Sequence, residues 1–330
     1  MTPDRRPMPA PLKMPKPGLW RRTPPAIFPP MMGLFALGLG WRAAAQHLGI
    51  TPAFGDLILG ATTLLYLFSI TAYLAKPLRR PSVIWEELRV LPGRAGLAAG
   101  SLCLSLLAAS LVPVAPDLAA VLGVAGVVVH GLFLLLFLRA LWTSPAEGRV
   151  ITPVFHLAFV GFIISGLPAN ALGRPDLALI LLWVTMVPAV VIWGVSLRQL
   201  FTRIPPAPLR PLLAIHLAPA SLFATVAAGA GLPNVALTFL ALGGVFLLAM
   251  LVSIRWITAA GFSPLWGAFT FSVAAYAGAL LHVSGGVGQM GMAGGVVLVA
   301  ASLFIPVIAY RVLKSWADNS LAVKTNAAEA

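Results

Sequence analysis

Nine carboxylates, five histidines and one cysteine are the groups in this 330-residue chain suited to proton relay, metal ligation or nucleophilic attack. Their spacing supports little of that chemistry. The acids are Asp4, Asp56, Glu86, Glu87, Asp117, Glu147, Asp176, Asp318 and Glu329, and each falls in a link, a tail or the end of an apolar stretch. No H-E-x-x-H or comparable ligand spacing occurs, and no glycine-rich loop cradles a phosphate. An acid, nucleophile and base cannot be assembled inside the apolar stretches, so the chain reads as a non-enzyme without a cofactor. His130, His156 and His216 fall inside apolar stretches, one in each. Haem-binding bundles often place two histidines on one helix, so hydrogen bonding between helices is the plainer reading. A membrane redox subunit using these three histidines as haem ligands stays open as an alternative. Cys103 has no partner for an internal disulfide and reads as a small buried residue.

The elements that position these groups follow from composition. Hydrophobic residues make up 59% and charged residues 9% of the chain, whereas soluble domains carry about 25% charged residues. Lipid must therefore be part of the solvent. A spanning helix needs about 20 apolar residues, and its backbone must be satisfied within the segment. A barrel would alternate apolar and polar residues, but Val121 to Phe137 is apolar on every side. Ten apolar stretches are expected as helices: 27–45, 54–74, 97–114, 118–141, 154–171, 177–197, 212–230, 235–257, 265–283 and 292–312. The fold class is thus an all-α membrane protein of ten transmembrane helices. The links after the odd-numbered stretches are short and almost uncharged, which predicts five helical hairpins.

Charge gives the orientation. All basic residues except Arg42 and Arg174 fall in the tails, in the links after even-numbered stretches or, for Arg139, Arg255 and Arg311, at the C-terminal ends of those stretches. The positive-inside rule then places both termini in the cytoplasm of an inner, multi-pass membrane protein. The expected division is a basic, proline-rich tail over 1–26, a membrane domain over 27–314 and a second loose tail over 315–330. The first 26 residues lack the apolar core of a cleavable signal. The net charge of +13 is spread over short links, as topology alone requires, so nucleic acid is not an expected partner. Membrane lipids are.

The membrane interior holds no mid-span carboxylate, the group with which proton- and sodium-coupled transporters usually bind their ion. Cation channels usually use acidic rings. What remains is a route of apolar and weakly polar groups, where helix N-termini and hydroxyls suit an anion. Pro29, Pro30, Pro168, Pro188, Pro219 and Pro306 interrupt the spans and could bend them around a cavity.

Several strings, in order, resemble the tellurite-resistance/dicarboxylate transporter family, which includes bacterial TehA and the plant slow-type anion channels. They are Gly33-Leu34-Phe35-Ala36-Leu37-Gly38-Leu39-Gly40-Trp41; Glu87 with Pro92-Gly93-Arg94; Pro153-Val154-Phe155-His156-Leu157 with Val160-Gly161; Leu217-Ala218-Pro219-Ala220; and Trp266-Gly267-Ala268-Phe269-Thr270-Phe271. The spacing from Glu87 to Pro92 is one residue longer than in the family, and the last string has an extra residue after its Trp in some alignments. The resemblance covers about Phe28 to Val312. It implies a homotrimer in which each protomer has its own central pore, with odd-numbered helices inside and even-numbered helices outside. It implies that Phe271 plugs the pore, and it makes Gly33, His156, Pro219, Phe269 and Thr270 candidate pore-lining residues. The leading function is passive movement of small anions such as chloride, nitrate or organic acids. A C4-dicarboxylate or tellurite-related oxyanion carrier is the alternative, and a lipid-organising protein is a further one.

Overall fold

The computed structural model describes residues 18–330; Arg5, Arg6, Lys13 and Lys16 of the basic tail lie outside that range. Every regular element among the described residues is helical. A 3-10 turn, Pro25–Ile27, leads into α1 (Phe28–Leu48). Then follow α2 (Ala53–Arg79), α3 (Val83–Arg89), α4 (Leu91–Leu111) and α5 (Pro116–Thr143). The next segment is irregular: a π turn (His156–Val160), a 3-10 turn (Gly161–Ser165) and α6 (Gly166–Ala171). It is followed by α7 (Pro175–Thr202), a 3-10 segment (Ala207–His216) continuous with α8 (Leu217–Gly229), and α9 (Pro233–Val252). The chain ends with α10 (Ile254–Ile257), α11 (Gly267–Ser284), α12 (Gly288–Ala317) and α13 (Ser320–Lys324). Proline at the first helical positions of α1, α4, α5, α7 and α9 starts them where its missing N–H costs nothing.

Among the described residues, eight helical stretches are long and apolar enough to cross a membrane. Two of the ten expected stretches differ. The 21-residue α1 has the length, but its prolines, glycines and Arg42 dilute its apolar character. Residues 154–171 form no continuous α-helix, because the backbone passes from π to 3-10 to α within 16 residues.

Burial sorts the helices into two layers. In α4 and in Ala207–Gly229, 78% of the apolar window is buried, against 22% in α5 and α9. The inner layer is α1, α4, residues 156–171, α8 and α11. The outer layer is α2, α5, α7, α9 and α12, whose Leu, Val and Trp side chains stand exposed as a lipid-facing surface requires. Each inner segment packs against the outer helix that follows it, and α11 packs against both α1 and α8. Small residues permit the close inner contacts. A Cβ on Gly33 would run into the Thr270 side chain, which is how α1 and α11 approach so closely. A Cβ on Gly243 would come within 2.6 Å of the Tyr276 ring, between α9 and α11.

Residues 318–330, expected as a loose tail, are folded. Leu321 is fully buried, the Ala330 N–H donates to the Arg21 carbonyl, and Arg22 pairs with Glu329 at 2.5 Å. Both described ends therefore meet on one face, called here the terminal face. Beneath it, Lys76 and Glu87 form an ion pair with side chains at 0% exposure, although sequence reading put both in a solvated link. Lys76 also donates to the Thr23 carbonyl at 2.9 Å, and the Tyr73 hydroxyl donates to Glu87 at 2.6 Å. The extra partners are what make burial of two charges tolerable.

Candidate functional site: two cavities on one axis

Two cavities lie along the axis of the inner layer. The near cavity, toward the terminal face, holds about 50 Å³, room for one or two waters at about 30 Å³ each. Its walls come from the starts of the inner segments, including Pro29, Pro92, Leu157, Leu212 and Pro264. No charged side chain among the described residues lines it. The far cavity holds about 530 Å³ and is walled by the C-terminal halves of the same segments. All five inner segments thus run in one direction, with their N-terminal ends at the near cavity. The positive ends of their dipoles point there, a setting that favours an anion.

The far cavity carries the polar groups. Arg42, Gln46, His47, Asn170, Thr225 and His282 line it, and no carboxylate does among the described residues. The Arg42 side chain is held by Asp56 at 2.6 Å and by the Ser110 carbonyl at 2.5 Å. His47 Nε2 and His282 Nδ1 approach to 3.4 Å. Sequence reading did not name this ring. The available signal was Arg42, one of two basic residues on the otherwise uncharged side.

Phe271 belongs to both cavities. It is 6% exposed, and it also lines a cleft of about 20 Å³ with His156 and Pro219. Of the candidate lining residues, only these last two border this constriction. Gly33 and Thr270 meet each other in the α1–α11 contact, where Thr270 donates to the Gly267 carbonyl at 2.7 Å. Phe269 faces the outer groove between α9 and α12. On an α-helix successive residues turn by about 100°, so if Phe271 faces the axis, its neighbours Phe269 and Thr270 must face elsewhere. Pro29 lines the near cavity, whereas Pro188 and Pro306 lie in the outer helices α7 and α12.

His130 uses both ring nitrogens in hydrogen bonds between helices, whereas His156 Nδ1 and His216 Nε2 are buried without a partner among the described residues. His130 Nε2 donates to the Ala158 carbonyl at 3.1 Å, which leaves Nδ1 to accept from the Ser101 hydroxyl at 2.8 Å. His130 therefore has no free nitrogen for a haem iron, and it pins the π turn instead. His156 Nε2 and His216 Nδ1 share a hydrogen bond at 3.0 Å. No three His, Cys, Asp or Glu side chains converge as metal ligands among the described residues.

A profile of the voltage-dependent anion channel family (SLAC1) matches residues 22–313, which span both layers and both cavities. The chain belongs to this family. No individual curated protein matches it. Membership in the voltage-dependent anion channel family makes this a multi-pass membrane protein of the anion channel or transporter class, in agreement with the family resemblance seen in its motifs.

Proposed function

We propose that this member of the voltage-dependent anion channel family conducts small anions passively along the axis of the inner layer, with Phe271 as the plug. The observation that carries the reading is that one buried aromatic ring lines both cavities. An aromatic ring at a constriction blocks it sterically and dewets it. A preference for anions is supported by the Arg42 guanidinium, by the lack of a lining carboxylate among the described residues and by the five inner N-termini. Chloride, nitrate and small organic acids are the permeants of this reading.

The reading includes ten crossings arranged as five hairpins, with α1 and residues 154–171 added to the eight long apolar helices. The meeting of both described ends on one face requires an even number of crossings and supports it. The positive-inside rule puts that face in the cytoplasm of an inner membrane. Residues 27–314 would be the membrane domain. The homotrimer rests on family resemblance alone.

A wide far cavity and a nearly closed near one also suit a carrier caught open to one side, for dicarboxylates or a tellurite-related oxyanion. Planar-bilayer recordings of chloride and nitrate current decide. Strong current in Phe271→Ala over a quiet wild type supports the plugged channel. Saturable counterflow without conductance in either protein favours the carrier.

A further inference from the structure

A third cavity, of about 420 Å³, opens on the terminal face beside the conduction axis. It lies among the start of α4, the 147–153 link, the end of α7 and the 3-10 segment Ala207–His216. Its volume falls within the range of small-molecule sites, about 300–1,000 Å³. Ala95, Val154, Leu212 and Ile215 form an apolar cluster between it and the near cavity, and Leu212 lines both.

Arg89, Arg94 and Arg203 line this cavity against one acid, Glu147, which leaves two net positive charges. The Arg89 and Arg203 guanidinium groups have no hydrogen bond or ion pair among the described residues, and both residues are exposed. Arg94 is fixed: its Nε donates to the Leu88 carbonyl at 2.5 Å and one terminal nitrogen donates to the Gly148 carbonyl at 2.9 Å. Its other terminal nitrogen is free of such bonds. At the deep end, Ser196 is 7% exposed and its hydroxyl has no partner among the described residues, as is also true of the Thr152 hydroxyl. Ser196 stands six residues before the end of α7 at Thr202, so the cavity reaches about 9 Å inward at 1.5 Å per residue. A buried hydroxyl without a partner is costly. Here two of them border a space flanked by guanidinium groups.

Guanidinium groups match phosphate oxygens with paired N–H donors, and hydroxyls complete such a site. Leu200, Leu209, Leu213 and Ile204 form apolar walls around the polar end. We propose that this cavity is a binding site for a phosphate-bearing ligand, separate from the conduction axis, with the phosphate held by Arg89, Arg94, Arg203 and Ser196. The phosphate belongs either to a phospholipid headgroup or to a soluble phosphorylated compound. A bound phosphate would tie the Ala207–His216 segment to α4 and α7.

The test uses the purified full chain in two arms. Inorganic phosphate is titrated calorimetrically in zwitterionic detergent. Lipid retention is counted by native mass spectrometry after extraction from phosphatidylcholine vesicles doped with phosphatidylglycerol. Binding in the first arm marks a soluble ligand, and retention in the second alone marks a headgroup. The variant Arg89→Gln/Arg203→Gln is expected to weaken the positive arm at least about tenfold, as loss of charge-assisted bonds does. Ser196→Ala, which removes no fold contact, is expected to weaken it about threefold or more through its lost hydrogen bond. The control Arg198→Gln/Arg255→Gln removes equal charge outside the cavity and is expected to leave binding intact. Absence of binding in both arms overturns the proposal, as does an equal loss in the control pair or an unchanged affinity in Ser196→Ala. None of these readouts depends on ion conduction.

Discussion

The near and far cavities are built from the two ends of the same five segments, yet they differ about tenfold in volume, 50 against 530 Å³. The near walls are prolines, alanines and leucines, and the positive field there comes only from backbone ends. The far walls carry the charged Arg42 side chain and two imidazoles. The same contrast appears in the supporting ion pairs. Lys76 and Glu87 sit at 0% exposure beneath the terminal face, whereas the Arg42–Asp56 pair at the far mouth is 20% and 51% exposed. The near end is narrow and tied by a buried ion pair; the far end is wide and its ion pair is exposed. In the proposed channel, an anion entering from the far side meets the wide cavity first and the apolar neck at Phe271 second.

Four experiments test whether the two ends differ in this way. The largest effect is expected at the near end from Glu87→Gln, which leaves the Lys76 charge buried without its partner. Loss of about 3–5 kcal/mol is expected, read as a lowered thermal unfolding midpoint in detergent. A drop no larger than that of Asp56→Asn at the far mouth would show the two ends to be equally soft. Next is Phe271→Ala, which joins the two cavities. Anion current in planar bilayers is expected to rise at least about tenfold, equivalent to a barrier lowered by about 1.4 kcal/mol. An unchanged current would place the barrier in the near neck rather than at the ring.

Arg42→Gln is expected to have a smaller, salt-dependent effect. Anion current entering from the far side should fall about threefold in dilute salt and recover near 1 M, where the screening length is about 3 Å. Equal losses for currents entering from either side would contradict a role confined to the far mouth. The smallest effect is expected from Arg22→Ala. Its pair with Glu329 is 38% and 42% exposed, and such a surface pair contributes about 1 kcal/mol or less. A larger loss, measured by thermal unfolding, would give the folded C-terminal segment a greater share in closing the near end.

Much of the fold was legible because lipid leaves few options. Long apolar runs with their charges confined to the links had to be helices, and the eight continuous ones lie where the hydropathy pattern put them. Pattern failed where backbone irregularity replaced it. Nothing in Pro153-Val154-Phe155-His156 announces a π turn, and the hydrogen bond it receives at the Ala158 carbonyl comes from His130, 28 residues earlier. It failed again for Lys76 and Glu87, whose charges read as solvated. Only the fold of α3 back against α2 takes both out of water.

The sequence by itself determined the membrane class, the helical state and the family, since these follow from composition, segment length and local strings. It also singled out Phe271 through its motif. Tertiary structure alone decided that the Phe271 ring lies between two cavities of unlike size, that Phe269 and Thr270 do not, and that Arg42, His47 and His282 form one ring. Those facts depend on which face each helix turns inward and on side chains as far apart as 240 residues coming together. Hydropathy cannot fix that rotation in segments apolar on every side. Close packing around small residues such as Gly33 does.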